Sequence, residues 1–364
     1  NTIFGKSAGL SLDAGSNFNV FIGEGVSTGS MNNAINNVAM GYHALSTVTT
    51  GDYNVAIGDH SMMSNKSGEV NVAVGTSALR SNTGDQNTAV GGNAMYANVG
   101  GTNNTVVGHN AGDAMTTTGA TVLIGKSAGS AINSADADGT VAIGKDALAA
   151  LTDGENNIAI GHVAADVMSV SNRNIIIGAE AFTTAATATG QDDNIGIGYR
   201  ALNNANVQDF NRNIAIGSYA LSTTGTNQQT GTIAIGFQAL AGNTSGQLNT
   251  AIGYNALVSN VAGDKNVALG YQAGEDYNPT ADFGNSVFVG HQAGLNVSTA
   301  RKATIIGNAA VGLGVMTGHE NTVIGNEAGY DLTSGAANVM VGVEAGTNTT
   351  DGDRNVYIGY QAAE

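Results

Sequence analysis

The stretch NTAIGYNAL (249–257) returns as NVALGYQAG (266–274), with Asn266 standing 17 residues after Asn249. Both share the skeleton Asn-x-Ala-aliphatic-Gly-Tyr-x-Ala. Tracked by its central glycine, the phrase runs from Gly5 to Gly359 in twenty steps averaging about 17.7 residues, a period that marks a solenoid whose units stack one on the next. No linker, composition shift or charge run interrupts it, so residues 1–364 read as a single continuous repeat array.

The columns of the repeat differ in character. Immediately before the glycine stands a large apolar residue, as in Ile57, Val74, Ile124, Ile143, Ile160, Ile177, Ile216, Ile235, Ile252, Ile324 and Ile358. Three before it stands Val, Ile or Thr, and between them mostly Ala (Ala56, Ala73, Ala142, Ala159, Ala251). A period of two with β-branched residues is a strand. The larger residues are expected to face a core, and the alanines to meet another surface at close range.

The fold class expected is all-β: a parallel β-solenoid or β-roll of about 21 rungs of 17–20 residues each. Rungs about 4.8 Å apart would make a rod on the order of 100 Å long. The glycine suits a sharp bend with positive φ. The asparagine opening each strand suits a turn and an in-register ladder. A rung this small encloses a thin core, so a homo-oligomer, most simply a homotrimer, is expected.

Composition narrows the function classes. With 53 Gly among 364 residues helices are disfavoured, and a single proline, Pro279, excludes a collagen-like chain. The absence of Cys removes disulfides, and no apolar run approaches a membrane span. A formal charge of −16 argues against nucleic acid and anionic lipid as partners. Beginning with Asn1, the chain reads as processed or as a piece of a longer protein.

The phrases NTAIGYNAL, NVALGYQAG, NIGIGYRAL (194–202) and NVYIGYQAA (355–363) resemble the repeat regions of bacteriophage tail fibres. They also resemble the head repeats of trimeric autotransporter adhesins, the YadA-like heads. The resemblance covers essentially the whole chain and implies a trimeric β-roll fibre. Its units are longer than the usual adhesin head repeat, which leans toward phage. The expected function is therefore the shaft or repeat region of a tail fibre in the virion, extending toward and attaching to a host cell. The implied partners are its own copies, other tail or fibre proteins, and a host surface glycan or protein. The head of a bacterial surface adhesin is the alternative.

Candidate sites are few. The column after the glycine holds Tyr42, Tyr199, Phe237, Tyr254, Tyr271 and Tyr360, with His109, His162 and His291, which reads either as a sugar-stacking column or as half-buried packing. Asp52, Asp85, Asp264 and Asp353 each precede the repeat asparagine by two. They suit turn chemistry and, less well, a Ca²⁺ ladder. Six histidines show no zinc spacing, and no nucleophile–base set or phosphate loop assembles, so neither an enzyme nor a cofactor is expected. A polysaccharide-cleaving tailspike would need a carboxylate pair, and an ice-binding solenoid an unbroken Thr column; neither is evident. Longer units place loops at about 130–139, 182–193, 203–212, 222–231 and 275–285. Loops on a repeat scaffold often carry binding, and Tyr199, Arg200, Phe210, Arg212 and Tyr219 form the expected receptor-binding patch.

Overall fold

The computed structural model describes residues 1–183, 190–203, 210–223, 229–279 and 284–363. Among them the chain is all-β, with parallel strands and no α-helix; a single 3-10 turn spans Ala135–Ala137. It divides into two compact units, Asn1–Ile177 and Gly178–Glu364. The first holds eleven three-residue strands, from Thr2–Phe4 to Ile175–Ile177. The second holds ten, from Ile195–Ile197 to Val356–Ile358, which makes 21.

Within each unit, a strand pairs in parallel with its equivalent one repeat later, residue for residue. Val55, Ala56 and Ile57 face Val72, Ala73 and Val74; Thr250, Ala251 and Ile252 face Val267, Ala268 and Leu269. Each unit is thus a parallel β-solenoid with one repeat per rung. In the second unit a further parallel pair, Phe210–Asn211 with Gln229–Thr230, joins two of the longer rungs on another side.

Between the terminal rungs the asparagine before a strand is fully or almost fully buried and ties rung to rung. Asn54 Oδ1 accepts the backbone N–H of Asn71 at 3.0 Å, and Asn71 Oδ1 accepts that of Asn87 at 2.9 Å. Each Nδ2 reaches a carbonyl of the next rung, Asn54 to Gly68 at 2.8 Å and Asn71 to Gly84 at 2.9 Å. The ladder expected from the sequence is therefore present. Thr121, Thr140, Thr232, Ser286 and Ala303 take the position where asparagine is missing, still fully or almost fully buried.

The repeat glycine is required by contact as well as by conformation. Gly58 has φ +135°, and a Cβ there would lie 2.5 Å from the Gly75 carbonyl oxygen of the next rung. No side chain fits between two glycines stacked at strand spacing.

The core is the reverse of the one expected. Ile57, Val74, Ile124, Ile143, Ile160, Ile177, Ile216, Ile235, Ile252, Ile324 and Ile358 all face outward and are half-buried or exposed. Ile57 is 36% exposed and Ile358 is 68% exposed. The alanines between them (Ala56, Ala73, Ala142, Ala159, Ala251) are wholly buried. They share the interior with a second alanine and a larger residue past the glycine, such as Ala78 and Leu79. The physical reason is width. A short rung closed on itself has room for methyl groups on the strand side, so size rather than apolarity decides which face turns inward.

In some rungs where a large residue occupies the inner strand position, volume is removed elsewhere in the same rung, whereas Ile176 keeps Phe182 and Ile305 keeps Val311. Leu123 and Phe288 replace alanine, and the position held by Leu79 or Leu257 in other rungs becomes Gly129 or Gly294. A Cβ on Gly129 would lie 2.8 Å from Ile132 and 3.0 Å from Leu123, and one on Gly294 2.5 Å from Phe288.

Two outcomes follow from this core. Asn71→Ala strands the Asn87 N–H and leaves the Gly84 carbonyl with Asn82 Nδ2 as its one remaining side-chain donor, and should cost about 1–3 kcal/mol by urea unfolding, whereas a surface substitution such as Thr102→Ser should cost under about 0.5 kcal/mol. Tyr277 is buried, its hydroxyl 3.1 Å from Ser286 Oγ, and burial pushes its pKa from 10.0 up to about 12. The folded state therefore holds this proton more tightly than the unfolded chain does. Stability from Tyr277 is complete below pH 10 and falls as pH rises from there toward 12. That loss should be absent in Tyr277→Phe, as read by unfolding at fixed pH steps.

Candidate functional site

Past each repeat glycine the chain turns through left-handed residues, so that the first side chain points outward and the third and fourth point in. In the rung of Gly253, Asn255 has φ 53° and Leu257 φ 51°; Tyr254 is 43% exposed, while Ala256 and Leu257 are buried. Repetition puts the outward residues in register.

In the second unit six rings follow one another: Tyr199, Phe237, Tyr254, Tyr271 and His291 directly after their glycines, and Tyr219 one residue further on, past Ser218. The first pair meets edge-on at 5.4 Å and the second at 6.4 Å. The last three contacts, Phe237–Tyr254, Tyr254–Tyr271 and Tyr271–His291, are parallel within 16°, each with centroids 5.2 Å apart. These are offset-stacking distances. In the first unit only a short counterpart forms, where Tyr42, His43 and His60 contact one another.

Beside the rings runs a column that the sequence reading overlooked. Gln238, Asn255, Gln272 and Gln292 each follow a ring residue directly, and each has φ near +54°. Gln292 Nε2 donates to Gln272 Oε1 at 2.9 Å, and Asn255 Nδ2 to Glu275 Oε1 at 2.8 Å. The signal was the run of dipeptides Phe-Gln, Tyr-Asn, Tyr-Gln and His-Gln in consecutive repeats.

Three of the five expected receptor-binding residues come together. Arg200 Nε donates to Glu180 Oε2 at 2.7 Å, and its guanidinium lies 5.2 Å from the Tyr199 ring centre, which in turn contacts Tyr219. Phe210 departs from expectation. It is fully buried against Phe182, with centroids 6.0 Å apart, because its strand turns the ring inward to fill one of the longer rungs. Arg212 is exposed on the approach to the next strand, its N–H bonded to the Asp192 carbonyl at 3.1 Å. Much of the expected loops, residues 184–189, 204–209, 224–228 and 280–283, lies outside the described residues.

The turn aspartates have a structural task. Asp52 Oδ1 accepts the Ile35 N–H at 2.7 Å, Asp85 that of Glu69 at 2.8 Å, Asp264 that of Gln247 at 2.7 Å, and Asp353 that of Ala336 at 2.7 Å. Each carboxylate thus caps the preceding rung. His319 replaces Asp in this column, and its Nδ1 accepts the Arg301 N–H at 3.2 Å. Among the described residues no group of three His, Asp or Glu side chains is placed to hold a metal. A surface cavity of about 430 Å³ at the 130–139 insertion gathers Asp136, Asp153 and Glu155 with Arg173. Among the described residues no helix is long and apolar enough to cross a membrane.

A further outward feature is the strand face itself. In both units its residues are Val, Ile, Leu, Met, Phe and Thr, with no charged side chain in any of the 21 strands. Neither protein-family models nor curated proteins give a match to this chain.

Capping makes a prediction separable from metal binding. Asp264→Asn keeps an acceptor oxygen and should change stability by less than about 0.5 kcal/mol, while Asp264→Ala should lose about 1 kcal/mol. Thermal melts of both variants should be the same with EDTA as with added Ca²⁺.

Proposed function

We propose that this chain is the shaft or repeat portion of an oligomeric surface fibre, structural and adhesive rather than enzymatic, of the kind found in phage tail fibres. The observation that carries the reading is the uncharged, aliphatic outer strand face. All-parallel sheets are almost always covered on both sides, and soluble monomers rarely leave long apolar strips open. Here the inner side is covered by the rung's own alanines, and the outer side is open: Val267 is 39% and Leu269 47% exposed.

A second copy of the chain is the best partner for such a face. The strip repeats once per rung, so whatever covers it must present apolar residues at the same rise. An identical chain running alongside does this at every rung, and three copies close the strips around one axis. The alanine face, which the sequence pointed to as the interface, lies inside each rung and is replaced in that role by the Val/Ile face. Repetition then provides length and stiffness in the virion, and a host-surface glycan or protein is the target. The head of a bacterial adhesin is the second reading, favoured by the same strand face. No cofactor enters either reading.

Light scattering at micromolar concentration should give a multiple of the 36.3 kDa chain mass, most simply threefold. The double variant Ile160→Asp/Ile235→Asp puts charge on the outer face and should shift the mass to monomer while keeping the β-type circular dichroism spectrum. A wild-type mass of one chain sinks the proposal. Ala159→Asp buries an unpaired charge and should instead unfold its region, a cost of several kcal/mol.

A further inference from the structure

The ring column and the amide column coincide in four consecutive rungs, those of Gly236, Gly253, Gly270 and Gly290. Outside these rungs the combination recurs among the glycine-tracked repeats only singly, at His109 and Asn110 and at Tyr360 and Gln361. Three physical properties set this strip apart.

The rings are open to solvent: Phe237 is 39%, Tyr254 43% and Tyr271 44% exposed. Parallel rings with centroids 5.2 Å apart exceed the carbon–carbon contact distance of about 3.5–4.0 Å, so they overlap like shingles and each leaves part of a face uncovered. Sugar rings present axial C–H faces that pack on such surfaces, and an extended β-linked glycan repeats its sugars at close to the same interval.

The amides supply the polar half of carbohydrate recognition. A carboxamide is both donor and acceptor in one plane, which matches paired sugar hydroxyls. The Gln292–Gln272 bond uses one donor and one acceptor and leaves further capacity on both side chains. The backbone beneath is held rung to rung, with Asn255 N–H on Phe237 O at 3.0 Å and Gln272 N–H on Tyr254 O at 2.8 Å. The strip is therefore preorganised and loses little entropy on binding.

The third property is neutrality. In a chain of formal charge −16, the ring and amide columns of these rungs themselves carry no carboxylate and no permanent cation, and the charge that borders them, Glu275 on Asn255 Nδ2 at 2.8 Å, is negative. An acidic polysaccharide would meet repulsion from the rest of the chain without a compensating cation here.

We infer that these four ring–amide rungs form a binding strip for a neutral, extended β-linked polysaccharide, laid along the ring stack with one sugar per rung. This deepens the adhesive half of the proposed function by naming a ligand class. It does not depend on the outer strand face, because the strip lies past the glycine bend.

The test is affinity electrophoresis of the full chain in gels containing hydroxyethylcellulose, galactomannan, dextran or alginate. The expected result is retardation by at least one of the first two, with little by flexible α-linked dextran or anionic alginate. Tyr254→Ala/Tyr271→Ala should weaken the retarding interaction by roughly tenfold or more, while Tyr42→Ala in the first unit should leave it unchanged. Gln272→Ala should weaken it without disturbing the ring stack, a change that a purely structural stack would not produce. Retardation by neither neutral β-linked glycan overturns the inference, as does equal retardation of the double tyrosine variant or stronger binding to alginate. The oligomeric mass of the same samples is read in parallel. An associated chain that ignores the glycans sinks this strip alone, and a monomeric chain that binds them sinks only the association.

Discussion

In-register stacking of one rung on the next is the constraint from which the other features follow. Parallel pairing at strand spacing brings the same position of successive repeats together, so every column becomes a line of like side chains. A column survives only if its residues tolerate their own company. Glycine does so because it has no side chain to place against the next carbonyl. Asparagine does so because its amide can accept from one rung and donate to another, which converts a buried polar group from a liability into a rung-to-rung tie.

The same constraint makes the interior thin. A typical rung holds two alanines and one larger residue, and Leu79-type positions give way to Gly129 and Gly294 where Leu123 and Phe288 enter. Such a core is sensitive to added methylenes as well as to removed ones. It also explains why the Val and Ile of the strands lie outside, where the rung has no room for them.

Stacking lines up the outward columns too, and there it can create surfaces that no single repeat contains. One tyrosine after a glycine is an ordinary half-exposed residue. Four rings in consecutive rungs are a strip with a defined period, and the carboxamide that follows each ring gives the strip a polar edge. The turn aspartates show the opposite case: their alignment looks like a ligand ladder, yet each carboxylate is engaged by a backbone N–H of the rung before it.

The solenoid, its strand positions, the glycine bend and the asparagine ladder were legible in the sequence, because each depends on the period and on local chemistry that repeats with it. The direction of the strand faces was not. Val55-Ala56-Ile57 alternates whichever way it points, and hydrophobicity alone assigns the larger residues to the core. Only closure of the rung, which sets how much room lies inside, decides that Ala56 is buried and that Ile57 faces out. Phe210 was misread for a related reason: the sequence showed a longer unit, but its packing against Phe182 depends on how that longer rung is filled. Periodicity determined which residues share a line; the width of the closed rung determined which lines are inside.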